Sequence, residues 1–106
     1  MNLESLKQSI LTECEEDHVG LWSVIRDVED HLPGSDENTI RQVTLEILRD
    51  LLAQHLIEAG FPSPNGRDFQ PTNLPAQETI RQIETAWRPG RRPQLGEVVW
   101  FTRGTA

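Results

Sequence analysis

Cys14, Asp17 and His18 lie close enough along the chain for a thiol, a carboxylate and an imidazole to act together. Cys14 and His18 are four residues apart, a spacing that puts two metal ligands on one helical face, and a cysteine near a histidine is also half of a nucleophile and base pair. Neither chemistry is completed. His31 and His55 are far away in sequence, neither a CxxC nor an HExxH pattern occurs, and nothing local orients the thiol. Cys14 is therefore expected to be a small buried hydrophobe beside solvated charge. Glu15-Glu16 and Glu29-Asp30 offer carboxylate pairs, but in so acidic a chain these read as solvated faces, not acid/base machinery. The sequence contains no glycine-rich phosphate loop, no GxSxG elbow and no tyrosine. The expectation is a non-enzymatic protein without catalytic, cofactor-binding or metal-ligating residues.

A second group, Trp87 with Arg88, Arg91 and Arg92, combines an aromatic stacking surface with cations and could contact nucleic acid. The charge balance argues against it. Residues 1 to 58 carry four basic and thirteen acidic side chains, and residues 59 to 106 carry six arginines and four acids, for a net charge of −7. The three arginines are better read as a solvated loop answering the acidic half, and Trp87 as the last core contact of its helix. The 106 residues fit one domain, with 36% hydrophobic and 25% charged residues, enough for a modest core and outside the range of disorder. No apolar run approaches a membrane span, and MNLESLKQS lacks the regions of a signal peptide. With one cysteine, a reducing, cytoplasmic setting is the expectation.

Several amphipathic elements must position these groups. Leu3, Leu6, Ile10, Leu11 and Cys14 define a helix over about residues 2–15. Leu21, Trp22, Ile25, Val28 and Leu32 define a second over 21–32, stopped by Pro33-Gly34. Ser35 or Asp36 can cap a third over 36–55, whose stripe is Ile40, Val43, Ile47, Leu48, Leu51 and Leu52, with Leu45 off it. LIEAGF switches toward period two and predicts a strand over 56–61, and PSPNGRDFQPTN breaks regular structure around an Asn-Gly turn signal. A fourth helix follows over 75–88, with Asn73 or Thr72 as cap, Pro75 near its first turn, and Ile80, Ile83 and Trp87 on one face. EVVWFTR predicts a strand over 96–103, and residues 104–106 a frayed tail. The two strands are each other's best partners, and HVGLW could add a short third at the edge.

This order, three helices and then two strands, resembles the winged-helix variant of the helix-turn-helix over residues 2 to 61 and 96 to 103, carried by the transition LLAQHLIEAGF. The chain is also similar to small acidic bacterial proteins of uncharacterised function that have a GLW-type segment before the second helix and a GEVVWFT-type closing strand. The resemblance implies an α+β, winged-helix-like single domain with a two- or three-stranded antiparallel sheet and a helix inserted between the wing strands. The family's DNA-reading element fits poorly. The third helix through Glu58 offers Arg41 and Arg49 against Asp36, Glu37, Glu46, Asp50 and Glu58, whereas duplex DNA is held by cations that neutralise phosphate. A wing of about 30 residues containing a helix would also obstruct docking.

The function expected is binding of a basic protein partner by an acidic face on helices two and three, Asp27, Glu29, Asp30, Glu46 and Asp50. A specific version is an immunity-type protein that neutralises a basic toxin or nuclease. Trp100 joins the candidates, because in a strand with Val99 and Phe101 one large side chain must leave the packed side. If helix four does not cover that side, Trp100 marks an interface, to a partner or within a homodimer. The rival is a transcriptional regulator using Arg67, Arg88, Arg91, Arg92 and Arg103 on the wing side. Membrane partners are not expected.

Overall fold

The computed structural model of the chain describes residues 3–16, 18–62, 68–88 and 99–104. They form an α+β fold whose elements run α1 (Glu4–Glu16), β1 (Val19–Gly20), α2 (Leu21–His31), α3 (Glu37–Ala53), β2 (Ile57–Pro62), β3 (Phe69–Pro71), α4 (Ala76–Ala86) and β4 (Trp100–Arg103). No helix among the described residues is long and apolar enough to cross a membrane. The sheet is antiparallel in the order β1-β4-β2-β3. It is larger than the expected two or three strands. The FQP segment, placed in a loop by its prolines, pairs with β2 as an edge strand, where Pro71 has no ladder hydrogen bond to donate. The Asn-Gly turn signal at 65–66 and the first part of the 96–103 strand lie outside the described residues.

Register explains which side chains form the core. Val19 faces Phe101, which faces Ala59, and residues directly opposite across a ladder share a face of the sheet. All three are buried, with Phe101 fully so. On this side α1 packs against β4 and α3 against β2, while α2 and α4 pack against α3. Contact with α2, α4 and β2 makes α3 the central helix, and this is why Thr44 and Leu45 are buried together with its apolar stripe. Leu45, expected off the stripe, is only 5% exposed because helices approach α3 from more than one direction.

The helix ends follow local chemistry. Of the two candidate caps of α3, Asp36 serves: its Oδ1 accepts the Thr39 N–H at 2.8 Å, and that bond holds its carboxyl below the usual range. The cap expected for α4 does not form. Pro75 is the N-cap, Asn73 sits at φ 58, and Thr72 donates through N–H and Oγ1 to the Ala59 carbonyl, tying the approach to α4 onto β2. At the other end, Arg41 Nε and Nη2 donate to the carbonyls of Trp87 and Glu84 at 3.2 and 3.3 Å, so a side chain of α3 caps the C-terminus of α4.

α3 stops at Ala53, two residues before the expected His55, because His55 adopts φ 59. Its N–H bonds the Leu52 carbonyl and the Leu56 N–H reaches back to Leu51, the pair of bonds that defines a Schellman ending. Glycine is the usual residue at this left-handed position, since it carries no Cβ to clash with the following carbonyl. His55→Gly should therefore raise stability by about 0.5–1 kcal/mol. Gly104 lies against the same corner, donating to the Leu56 carbonyl at 2.9 Å, and a Cβ there would overlap the His55 carbonyl oxygen. Gly104→Ala should lower stability by about 1–3 kcal/mol. Urea unfolding midpoints of both variants check the opposite signs.

Candidate functional site

β1 is short because Gly20 ends it and is also the N-cap of α2, with extended backbone and no side chain to accept a capping bond. The helix leaves the sheet at once, and Trp22 in its first turn folds back over Gly20. A Cβ on Gly20 would stand 2.5 Å from Trp22 Nε1 and 2.8 Å from its Cδ1. Trp100 lies opposite Gly20 in the ladder, on the sheet face away from Phe101. The two tryptophans thereby meet at a surface cleft of about 400 Å³ whose lining also includes Glu13, Glu16 and His18 from the end of α1 and the segment after it. Trp22 is 38% exposed and Trp100 half-buried. Beside the cleft, the Arg26 guanidinium lies 5.5 Å from the Trp22 ring centroid, and the His18 and Phe69 rings pack at 5.1 Å.

Behind the acidic rim, Glu13 meets Asp27 of α2. Partial burial, reinforced by a hydrogen bond to Asp27 and by its negative charge, pushes Glu13 up to about 7. Asp27 Oδ2 is buried with no hydrogen-bond partner among the described residues. Cys14 is buried next to this pair, and desolvation first, then the Glu13 charge, raises its thiol to about 12. Burial and a raised thiol are the opposite of the exposed, lowered thiol that reactive cysteines present. His18 lines the cleft, Asp17 lies outside the described residues, and no cluster of three potential metal ligands occurs among the described ones.

The structure divides the sequence-derived candidates. Asp27 turns toward α1 and Glu13, while Asp50 of α3 binds Lys7 of α1 at 2.9 Å, with Glu46 and Glu4 close enough to raise the lysine further. Glu13 and Lys7 are six residues apart, on different sides of α1. Asp27 and Asp50 therefore belong to different neighbourhoods. Asp30 and Glu46 are exposed and Glu29 is half-buried. Trp100 is the candidate that lines the cleft. Trp87 is fully buried and donates Nε1 to Glu37 Oε2 at 3.0 Å, so its ring faces are closed to a stacking base. Arg88 is exposed, Arg103 pairs with Glu15 at 3.3 Å, and Arg67, Arg91 and Arg92 lie outside the described residues.

Glu13 and Trp22 are not among the sequence-derived candidates, Glu16 and His18 enter there only as a solvated acid and half of a metal-ligand pair, and Trp22, read as part of the apolar face of its helix, is exposed. A signal was present. The buried set of α2 is Leu21, Val24, Ile25 and Val28, and a residue adjacent to Leu21 is turned about 100° from it on a helix. Comparison with protein-family models, with curated proteins and with solved structures finds no match.

The raised Glu13 has a defined consequence for stability. Between its ordinary value near 4.5 and about 7, the unfolded chain has lost this proton while the folded protein keeps it. The folded state then binds more protons, so this group makes stability fall as pH rises through that window. Glu13→Gln, which keeps a donor toward Asp27, should stabilise the protein at pH 8 more than at pH 5. Urea unfolding at the two pH values checks this, and equal shifts at both would contradict the assignment.

Proposed function

We propose that this chain is a non-enzymatic protein-binding module that recognises a basic partner. Asp27, Glu29, Asp30, Glu46 and Asp50 give α2 and α3 their acidic character, and Trp100 with its cleft adds a contact surface beside α2. The observation that carries the reading is how the cations of the helical half are used. Arg41 points inward to the end of α4, Lys7 is paired with Asp50, and Arg26 lies over Trp22. Of the basic side chains on α3, Arg49 is left on an exposed position of the helix that also carries the exposed Glu46. Such a surface attracts a basic protein with fast, salt-sensitive association and repels phosphate. Neutralisation of a basic toxin or nuclease by an immunity-type protein is the specific form of this reading.

One observation favours the second reading, a winged-helix DNA-binding regulator. β4 lies between β1 and β2, and the order helix, strand, helix, helix, strand, strand agrees with a winged-helix-like fold in which β3 and α4 are inserted into the wing. Affinity for duplex DNA separates the two. At an ionic strength of about 0.15 M the protein should fail to retard a duplex in a gel-shift assay and should co-purify with a basic protein in a salt-dependent manner. Retardation of duplex DNA that weakens steeply with salt would instead support the regulator. A concentration-dependent mass in solution would point to a homodimer.

A further inference from the structure

We infer that the cleft between Trp22 and Trp100 is a receptor for an arginine side chain presented by a partner protein. The inference rests on the basic-partner reading and names the group that the surface would take. Three features converge on it. The cleft has about 400 Å³, room for one long side chain but not for a folded segment. Its lining sets two indoles beside the exposed carboxylate of Glu16, with the carboxyl of Glu13 turned to Asp27 behind it. Indole faces attract a cation through the ring quadrupole, and a carboxylate accepts the paired N–H groups of a guanidinium.

The molecule also shows that one of these indoles takes a guanidinium. Arg26, four residues along α2 from Trp22 and outside the lining of the cleft, places its guanidinium carbon 5.5 Å from the Trp22 centroid. A nucleobase could stack on the same rings, but stacking platforms for single-stranded nucleic acid come with cations that track the phosphates. Here the rim carries acids. Lysine would gain the same Coulomb attraction but lacks the planar fork and the stacking face that match this lining.

Gly20 holds the cleft open. Its missing Cβ is where the edge of the Trp22 indole lies, so Gly20→Ala must push this ring aside. The atoms that would have to move belong to a partly exposed side chain, which leaves the fold intact.

The test is a titration of the ¹⁵N-labelled full chain with N-acetyl-arginine amide, followed at the indole N–H signals, with N-acetyl-citrulline amide as the neutral isostere. The arginine amide should shift the Trp22 and Trp100 signals saturably and leave buried Trp87 unmoved, and the citrulline amide should shift none of them. Glu16→Gln, at an exposed position, should weaken the affinity about two- to fivefold, as for one surface ion pair. Gly20→Ala should abolish the response with the Trp87 signal still in its native place, a built-in control for folding. Equal response to both amides, no response, or full response in Gly20→Ala overturns the inference. Association with a basic protein that is unchanged in Gly20→Ala and Glu16→Gln also overturns it while leaving the basic-partner reading standing. If the chain ignores basic proteins yet passes the amide titration, that reading fails and the cleft remains a guanidinium site.

Discussion

β4 lies between β1 and β2, and most of the molecule depends on that insertion. Its backbone pairs with both neighbours, its Phe101 is the fully buried centre of the row Val19, Phe101 and Ala59, and α1 packs on it. Without it β1 would be two residues with no ladder partner, and β2 would keep only the short β3. The same insertion fixes the outer face. With Phe101 directed inward, period-two alternation sends Trp100 outward, where it lies opposite Gly20 on one neighbour and Gly60 on the other. Core and cleft are two sides of one register. A slip of one residue would exchange them, placing a large indole against α1 and Phe101 in water.

The helices were legible in the sequence because each has a strong 3.6-residue period and a distinct stop. Errors fell where tertiary contact overrides the local pattern. Leu45 looked superfluous on an amphipathic helix and is buried because α3 is packed by several elements at once. Thr72 and Asn73 had the chemistry of a helix cap, but the Thr72 hydroxyl and N–H are used on the Ala59 carbonyl of β2. The third strand was hidden by proline, which opposes a central strand but not an edge. The cleft was the least legible feature. Its residues come from α1, β1, α2 and β4, and only the register brings Trp100 to the Trp22 side of Gly20.

Charge in the helical half is organised by pairing as much as by excess. Arg41 completes the carbonyl end of α4 and also anchors the backbone of Trp87, whose indole N–H in turn bonds Glu37. α3 and α4 are thus joined by contacts that use one cation and one anion of α3. Lys7 and Asp50 join α1 to α3 in the simpler way. Arg41, used on neutral carbonyls, leaves its surroundings more acidic than the composition alone suggests, whereas Lys7 and Asp50 offset each other.

The central place of β4 also bears on how the molecule is made. In chain order β1 and β2 precede it, with α4 and the segment around it in between, so the strands on either side of the gap exist before the strand that fills it. During synthesis the three N-terminal helices and the β2–β3 hairpin can collapse on local contacts, but the sheet stays divided until residues near 100 leave the ribosome. For that interval β2 presents a vacant edge of unpaired N–H and C=O groups, the kind of surface onto which another chain's strand can add. The negative charge carried by the first half of the sequence would then keep such half-made chains apart before it meets any partner.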